Sequence, residues 1–155
     1  MNKSITARDM MVRKLITLSP KMDCFEALRL LVKHRISGAP VVDEQQQVLG
    51  VFTEKSAMSA LMDAAYEQTP SCEVSNYMVR ELVTIGPDTD LLEIVQIFRD
   101  QPTRRLQIVE NDRLIGQISR RDVIYKAAQL IQPKSIREKN VLYLSALFER
   151  TDAPI

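Results

Sequence analysis

Gly116-Gln117-Ile118-Ser119-Arg120-Arg121-Asp122 passes from an apolar run into a charged one and sets a hydroxyl three residues ahead of a carboxylate. Ser is a favoured N-cap and Asp is favoured in a helix's first turn, so a strand is expected to end at Ser119 and a helix to begin behind it. The arrangement has two uses. It can simply close the helix end as a capping box. It can also present a carboxylate that accepts from both hydroxyls of a ribose, beside a hydroxyl and free N–H groups that donate to a phosphate. Arg104 and Arg105 lie just upstream. A guanidinium grips phosphate oxygens through two parallel N–H bonds; as adjacent charges on a loop, the two arginines equally describe a solvated pair. Arg120 and Arg121 read as solvent-facing, within reach of a second phosphate.

Other reactive chemistry is sparse. His34 is the single histidine and falls at the end of an expected helix, where a cation suits the dipole. Cys24 and Cys72 form no CxxC pair and read as reduced thiols of a cytoplasmic protein. The chain has no GxGxxG and no GxxxxGK[ST], so Rossmann and P-loop readings fail. No Ser-His-Asp, Cys-His or metal-ligand constellation can be assembled around one histidine. The expectation is a protein that is not an enzyme, holds no metal and requires no cofactor.

These residues need a scaffold, and the chain repeats one. Met11-Val12-Arg13-Lys14-Leu15-Ile16-Thr17-Leu18-Ser19-Pro20 recurs as Met78-Val79-Arg80-Glu81-Leu82-Val83-Thr84-Ile85-Gly86-Pro87. Asp23 and Glu26 match Asp90 and Glu93; Val41-Val42-Asp43 matches Ile108-Val109-Glu110. After a one-residue shift, Leu49-Gly50-Val51-Phe52-Thr53 matches Ile115-Gly116-Gln117-Ile118-Ser119. A period of roughly sixty residues means two copies of one unit.

Within the first copy, Leu15–Leu18 reads as a strand ending at Ser19-Pro20. Asp23 and Glu26 form a capping-box pattern for a helix reaching about His34, with Phe25, Ala27, Leu28, Leu31 and Val32 facing inward. Pro40–Val42 and Val48–Phe52 form a hairpin, Pro40 suiting a strand's first position, and a helix follows from about Glu54 to Tyr66. The second copy repeats the order: a helix ends near Asp100, Leu106–Val109 pairs with Leu114–Ile118, and a helix runs from about Arg120 to Ile131. The class is α+β, with β-α-β-β-α units that expose too much apolar surface to stand alone. Residues 5–66 are assigned to unit 1, 67–131 to unit 2 and 132–155 to a C-terminal helical tail. Residues 1–10 form a short lead-in helix matching Cys72–Tyr77. In the tail Val141, Leu144, Leu147 and Phe148 share one helical face, for packing on its own domain or for a partner.

The 155 residues are 45% hydrophobic and 26% charged, with net charge +1. This is an ordinary globular composition without a field that points to nucleic acid or an anionic membrane. No apolar run approaches the roughly 20 residues that span a bilayer. Arg8, Asp9 and Arg13 stand where a signal peptide would be apolar, so a cytoplasmic location is expected.

Arg35-Ile36-Ser37-Gly38-Ala39-Pro40-Val41-Val42-Asp43, then Gly50-Val51-Phe52-Thr53, preceded by Thr17-x-x-Pro20, resembles the cystathionine-β-synthase (CBS) domain. The two copies are similar to a CBS pair, or Bateman module, over roughly residues 5 to 130. The resemblance implies two CBS units packed as a pseudo-two-fold pair through their sheets, with clefts between them. It implies clefts that take AMP, ADP, ATP or S-adenosylmethionine, a homodimer, and regulation of a partner protein. On this resemblance Asp122 binds ribose, Ser119 contacts phosphate, Thr84 lies near ribose and base, and Val83 and Leu106 supply apolar faces for adenine. Thr17, Pro40, Thr53 and Ser56 form a weaker site, since Ser56 stands where the family has Asp. Gln107 replaces the usual Pro. Arginines of one unit can serve the cleft of the other, and the sequence leaves that choice open. The expected function is an adenine-nucleotide sensor signalling to a partner; the alternatives are an S-adenosylmethionine sensor or a ligand-independent dimerisation scaffold.

Overall fold

A computed structural model describes residues 4–67 and 72–130. The expected tail helix lies outside the described residues. The element order is α1 (Ala7–Met10), α2 (Cys24–His34), β1 (Gly38–Val42), β2 (Val48–Thr53), α3 (Glu54–Glu67), a 3-10 turn (Val74–Asn76), β3 (Thr84–Ile85), α4 (Leu91–Asp100), β4 (Arg105–Glu110), β5 (Arg113–Ser119) and α5 (Arg120–Leu130).

The helices begin where their caps dictate. Asp23 accepts from Phe25 N at 3.1 Å and Asp90 from Glu93 N at 3.0 Å, each satisfying an N–H that has no partner inside its helix. Arg35 ends α2 in the left-handed conformation. Asp43 folds the first hairpin turn by accepting from Gln45 N and Gln47 N, both at 2.9 Å. The second hairpin turns tightly on Asn111 and Asp112, both with positive φ, as a two-residue hairpin loop requires. The shorter second turn is the one-residue shift seen between the repeats.

β1 and β2 form one antiparallel sheet; β3, β4 and β5 form another, with β3 parallel to β4. Both hairpins carry a register shift at matching places, Val41/Val42 and Ile108/Val109. In the first unit the expected strand Leu15–Leu18 reduces to one bridge, Leu18 to Val41. Pro40 is the third residue of β1, not its first, and its carbonyl accepts from Leu18 N at 2.9 Å. Ala27 and Leu31 face inward as expected, but Val32 is 70% exposed.

The two cores exchange their lead-in segments. Ala7, Met10 and Met11 pack with Ile94, Phe98, Leu106, Ile108 and Ile118, in the core of the second unit. Cys72, Val74 and Met78 pack with Leu18, Leu31, Val41 and Phe52, in the core of the first. Four bridges tie the exchange in two related pairs: Thr6 to Asp90 with Asp23 to Glu73, and Val12 to Gln117 with Val51 to Val79. Each unit is therefore completed by chain that precedes the other.

The reading of Cys24 and Cys72 as separate reduced thiols is overturned. They are joined in a disulfide, with Cα atoms 5.6 Å apart, and Cys24 N donates to Cys72 O at 2.9 Å. The exchanged lead-in carries Cys72 onto the start of α2, a meeting that sequence distance conceals. The equivalent place in the second unit holds Leu91 and Ile5, where Leu91 N donates to Ile5 O at 2.9 Å.

Candidate functional site

A cleft of about 890 Å³ opens between the units, within the range of small-molecule sites. Its first-unit wall is Ser37, Val51 and the junction of β2 with α3, at Thr53, Glu54 and Lys55. The facing wall comes from the second unit: the stretch Val79 to Val83, and the loop carrying Arg104 and Arg105 into β4 with Gln107 beyond it.

Arg105 crosses between the units. Its guanidinium donates to Ser37 Oγ, and Glu54 N, at the start of α3, donates to Ser37 O at 3.0 Å. Thr103 Oγ1 holds the loop by donating to Arg105 O at 2.7 Å. Burial lowers the Arg105 pKa from its ordinary value; the charge of Arg104 acts the same way and Glu54 opposes both. Desolvation and like charge thus leave a guanidinium that an anion would relieve. Arg105 also borders a smaller hollow of about 620 Å³, lined by Leu28, Leu31, Ile36, Ala57 and Met58.

The expected site residues divide. Thr53, Val83, Arg104 and Arg105 line the cleft. Ser119 and Asp122 do not, and form a closed box at the start of α5. Ser119 N and Oγ both donate to Asp122 Oδ2, at 2.7 and 2.8 Å, and Asp122 N donates to Ser119 Oγ at 3.2 Å. No hydrogen bond to Asp122 Oδ1 forms among the described residues. Thr53 and Ser56 build the same box in the first unit, with Thr53 N donating to Ser56 Oγ at 3.2 Å and Ser56 N to Thr53 Oγ1 at 3.1 Å. Ser56 is buried. The sequence left open which unit the arginines serve; the structure sets their loop against the Thr53–Glu54 helix start of the first unit.

Leu106 is fully buried in the second core and Pro40 is buried in its strand, and neither is part of this cleft's lining. Thr17 and Thr84 lie outside its lining as well. Gln107, next along the strand, is among the lining residues. Leu106 and Ile108 are 0% exposed within the second core, and strand alternation turns Gln107 to the opposite face. That alternation, apolar-polar-apolar, is the signal that identifies Gln107 from sequence. Glu54, Glu81 and Leu82 were not singled out as site residues, and nothing in their local pattern marks them.

The CBS domain family matches this chain twice, over residues 7–63 and 74–128. The chain belongs to the CBS domain family. The CBS domain-containing protein YhcV of Bacillus subtilis is 30% identical over 118 residues, covering 76% of this chain and 82% of that protein. The inosine-5'-monophosphate dehydrogenase of Korarchaeum cryptofilum is 30% identical over 121 residues, covering 77% of this chain and 24% of that enzyme. The chain spans 41% of the length of MJ1225 from Methanocaldococcus jannaschii and between 21% and 29% of several such dehydrogenases. Among solved structures, CBSX2 in complex with AMP is 25% identical with a TM-score of 0.71, covering 81% of this chain and 97% of that one. An acetoin utilization protein (AcuB) from Vibrio cholerae, 24% identical with a TM-score of 0.73, shows the same fold over 83% of this chain and 93% of its own. The CBS pair is thus an α+β tandem of two repeats. No helix among its described residues is long and apolar enough to cross a membrane.

Proposed function

We propose that this CBS pair is a regulatory module that binds an adenine nucleotide in the cleft between its units and signals occupancy to a partner protein. The observation that carries the reading is the placement of Arg104 and Arg105 opposite the Thr53–Glu54 helix start, in a cleft of nucleotide size. A phosphate there meets two guanidinium groups, a hydroxyl and the N-terminal end of α3. Val79, Leu82 and Val83 supply apolar surface for a base. The AMP bound by CBSX2, at 25% identity, supports the choice of ligand class. A sulfonium ligand such as S-adenosylmethionine would bring a cation toward the arginines, so a phosphorylated ligand is favoured.

The partner reads whichever arrangement of the two units the ligand holds more tightly. The module acts as a homodimer, using exposed apolar side chains such as Met58 and Met62 on α3 and Ile124 and Tyr125 on α5. A ligand-independent scaffold is the second reading. It is favoured by the closed Thr53–Ser56 box, whose groups satisfy one another, and by Glu54 and Glu81 in the lining, whose charge opposes a phosphate.

The test is calorimetric titration with AMP, ADP, ATP, GTP and S-adenosylmethionine on the natural chain and on Arg104→Ala, Arg105→Ala and Asp122→Ala. Losing a charge-assisted contact of about 1.5–3 kcal/mol weakens binding roughly ten- to a hundredfold. An adenine nucleotide that binds, and loses affinity on that scale in either arginine variant, supports the sensor. No binding at millimolar concentration would leave the scaffold.

A further inference from the structure

Among the described residues one buried side-chain polar atom has no hydrogen-bond partner, and it belongs to a residue of the cleft lining. Gln107 is 1% exposed, and its Oε1 is buried without a partner. The amide is held from its other end, where Nε2 donates to Gln117 Oε1 at 3.3 Å across the β4–β5 ladder. Its backbone is fixed too, with Gln107 N donating to Val83 O at 3.3 Å. The side chain stands on the face of β4 opposite Leu106 and Ile108, and Gln107 lines the cleft beside Val79 and Val83. The first unit has Pro40 at the matching position, opposite Val51, so the polar group is peculiar to the second unit. A buried acceptor without a donor is unfavourable unless a ligand completes it.

We infer that Gln107 is the residue that selects the base of the ligand, with Oε1 accepting a hydrogen bond from the exocyclic 6-amino group of a purine. The inference rests on the adenine-nucleotide reading and deepens it. A 6-oxo purine would turn its own acceptor toward Oε1 and leave both oxygens without a donor. A purine with hydrogen at position 6 would fill the space and make no bond. Arg104 and Arg105 recognise any nucleoside phosphate and cannot make this distinction. Gln107 would make the cleft specific as well as anion-binding.

The test compares ligands and a variant together. AMP and ATP are titrated calorimetrically against their purine-riboside counterparts, which lack only the 6-amino group, and against IMP. The natural chain and Gln107→Leu are both used. The natural chain is expected to prefer the 6-amino ligand over the 6-hydrogen one by about five- to tenfold, and over IMP by more. Gln107→Leu is expected to bring the first ratio to within about twofold, in step with one neutral hydrogen bond lost. The ligand comparison needs no substitution, so a variant that fails to fold leaves the inference testable. A ratio near one in the natural chain, or an unchanged ratio in folded Gln107→Leu, overturns the role of Gln107 and leaves the adenine reading standing. If no adenine nucleotide binds, the reading falls and this inference with it.

Discussion

Replacing Gly50 by Ala should separate the two halves of the pseudo-symmetric interface. A Cβ at Gly50 would lie 2.7 Å from Val79 O and 2.9 Å from Met78 Cγ. Val79 O is backbone, and it accepts from Val51 N at 2.9 Å while Val79 N donates to Val51 O at 2.8 Å. The methyl therefore displaces the exchanged segment and loosens the bridge it makes. Overpacking costs about 1–3 kcal/mol, and each weakened ladder bond about 0.5–1.5 kcal/mol. Neither glycine at the matching positions has a positive φ, so the penalty is steric alone. A loss of at least about 2 kcal/mol lowers the melting temperature by about 4–8 °C for a chain this size. Gly116 is the matching residue. A Cβ there meets Met11 side-chain atoms, Sδ at 2.6 Å and Cγ at 2.9 Å. An unbranched thioether can turn aside, so Gly116→Ala should cost nearer 1 kcal/mol. The assay is thermal unfolding of both variants by circular dichroism, followed by nucleotide titration. Gly50→Ala should also weaken ligand binding, because Val79 to Val83 wall the cleft; Gly116→Ala should not. Equal melting temperatures for the two variants would refute the reasoning.

Three further outcomes are expected. The Cys24–Cys72 cross-link spans a sequence separation of 48, so on the chain-entropy estimate a Cys24→Ala/Cys72→Ala variant loses about 4 kcal/mol. Thiol titration of the unreduced, denatured chain should find no free thiol, and two would refute the bond. Asp122→Ala removes the acceptor for Ser119 N and Ser119 Oγ and should cost about 1–2 kcal/mol in a thermal melt without ligand, whereas Asp122→Ser, the residue of the first-unit box, should recover most of it. Tyr77 donates to Asp63 at 2.5 Å, and that bond, with burial and the nearby negative charges, raises the phenol pKa above its ordinary value. A raised pKa favours the neutral phenol in the folded chain, so its contribution is complete below the unfolded pKa and is lost as pH rises through the folded one. Absorbance titration should show the Tyr77 phenol ionising above its ordinary range, and Asp63→Asn should bring it back down.

What local chemistry decides was legible in the sequence. Asp23 and Asp90 announced α2 and α4, and the two hairpins fell where β-branched runs met polar turns. The repeat implied the pairing of units before any contact was known. What depended on the exchange of lead-ins was not legible. The period assigns residues 5–11 to the first unit, yet Ala7 and Met10 complete the second core. The same exchange brings Cys72 to Cys24, and no spacing rule could have joined them. The site was half legible. Arg104 and Arg105 were recognised by chemistry, but their neighbours depend on the two-fold, which pairs residues by rotation and not by position along the chain. Leu106 was named as an apolar face for a base and Gln107 only as a replacement for Pro; the strand's alternation, already in the sequence, sets the two on opposite faces.

The two-fold also divides the recognition chemistry. The cleft with Arg104 and Arg105 faces the helix start whose first turn carries Ser56, and Asp122 stands at the other helix start. On the proposed function, the arginine cleft grips phosphate and lacks the Asp122 carboxylate, while Asp122 stands apart from both arginines. A ligand of the first cleft should gain most of its affinity from phosphate, so adenosine should bind there far more weakly than AMP. A ligand at the Asp122 side should depend on its ribose hydroxyls and be nearly indifferent to phosphate. Titrating adenosine, 2'-deoxyadenosine and AMP into Arg104→Ala and Asp122→Ala separates the two. Arg104→Ala should cost AMP about tenfold or more and leave adenosine unchanged. Asp122→Ala should erase the difference between adenosine and its 2'-deoxy form. If Arg104→Ala and Asp122→Ala weaken AMP equally while adenosine does not bind, carboxylate and arginines serve one ligand, and the division argued from the two-fold is wrong.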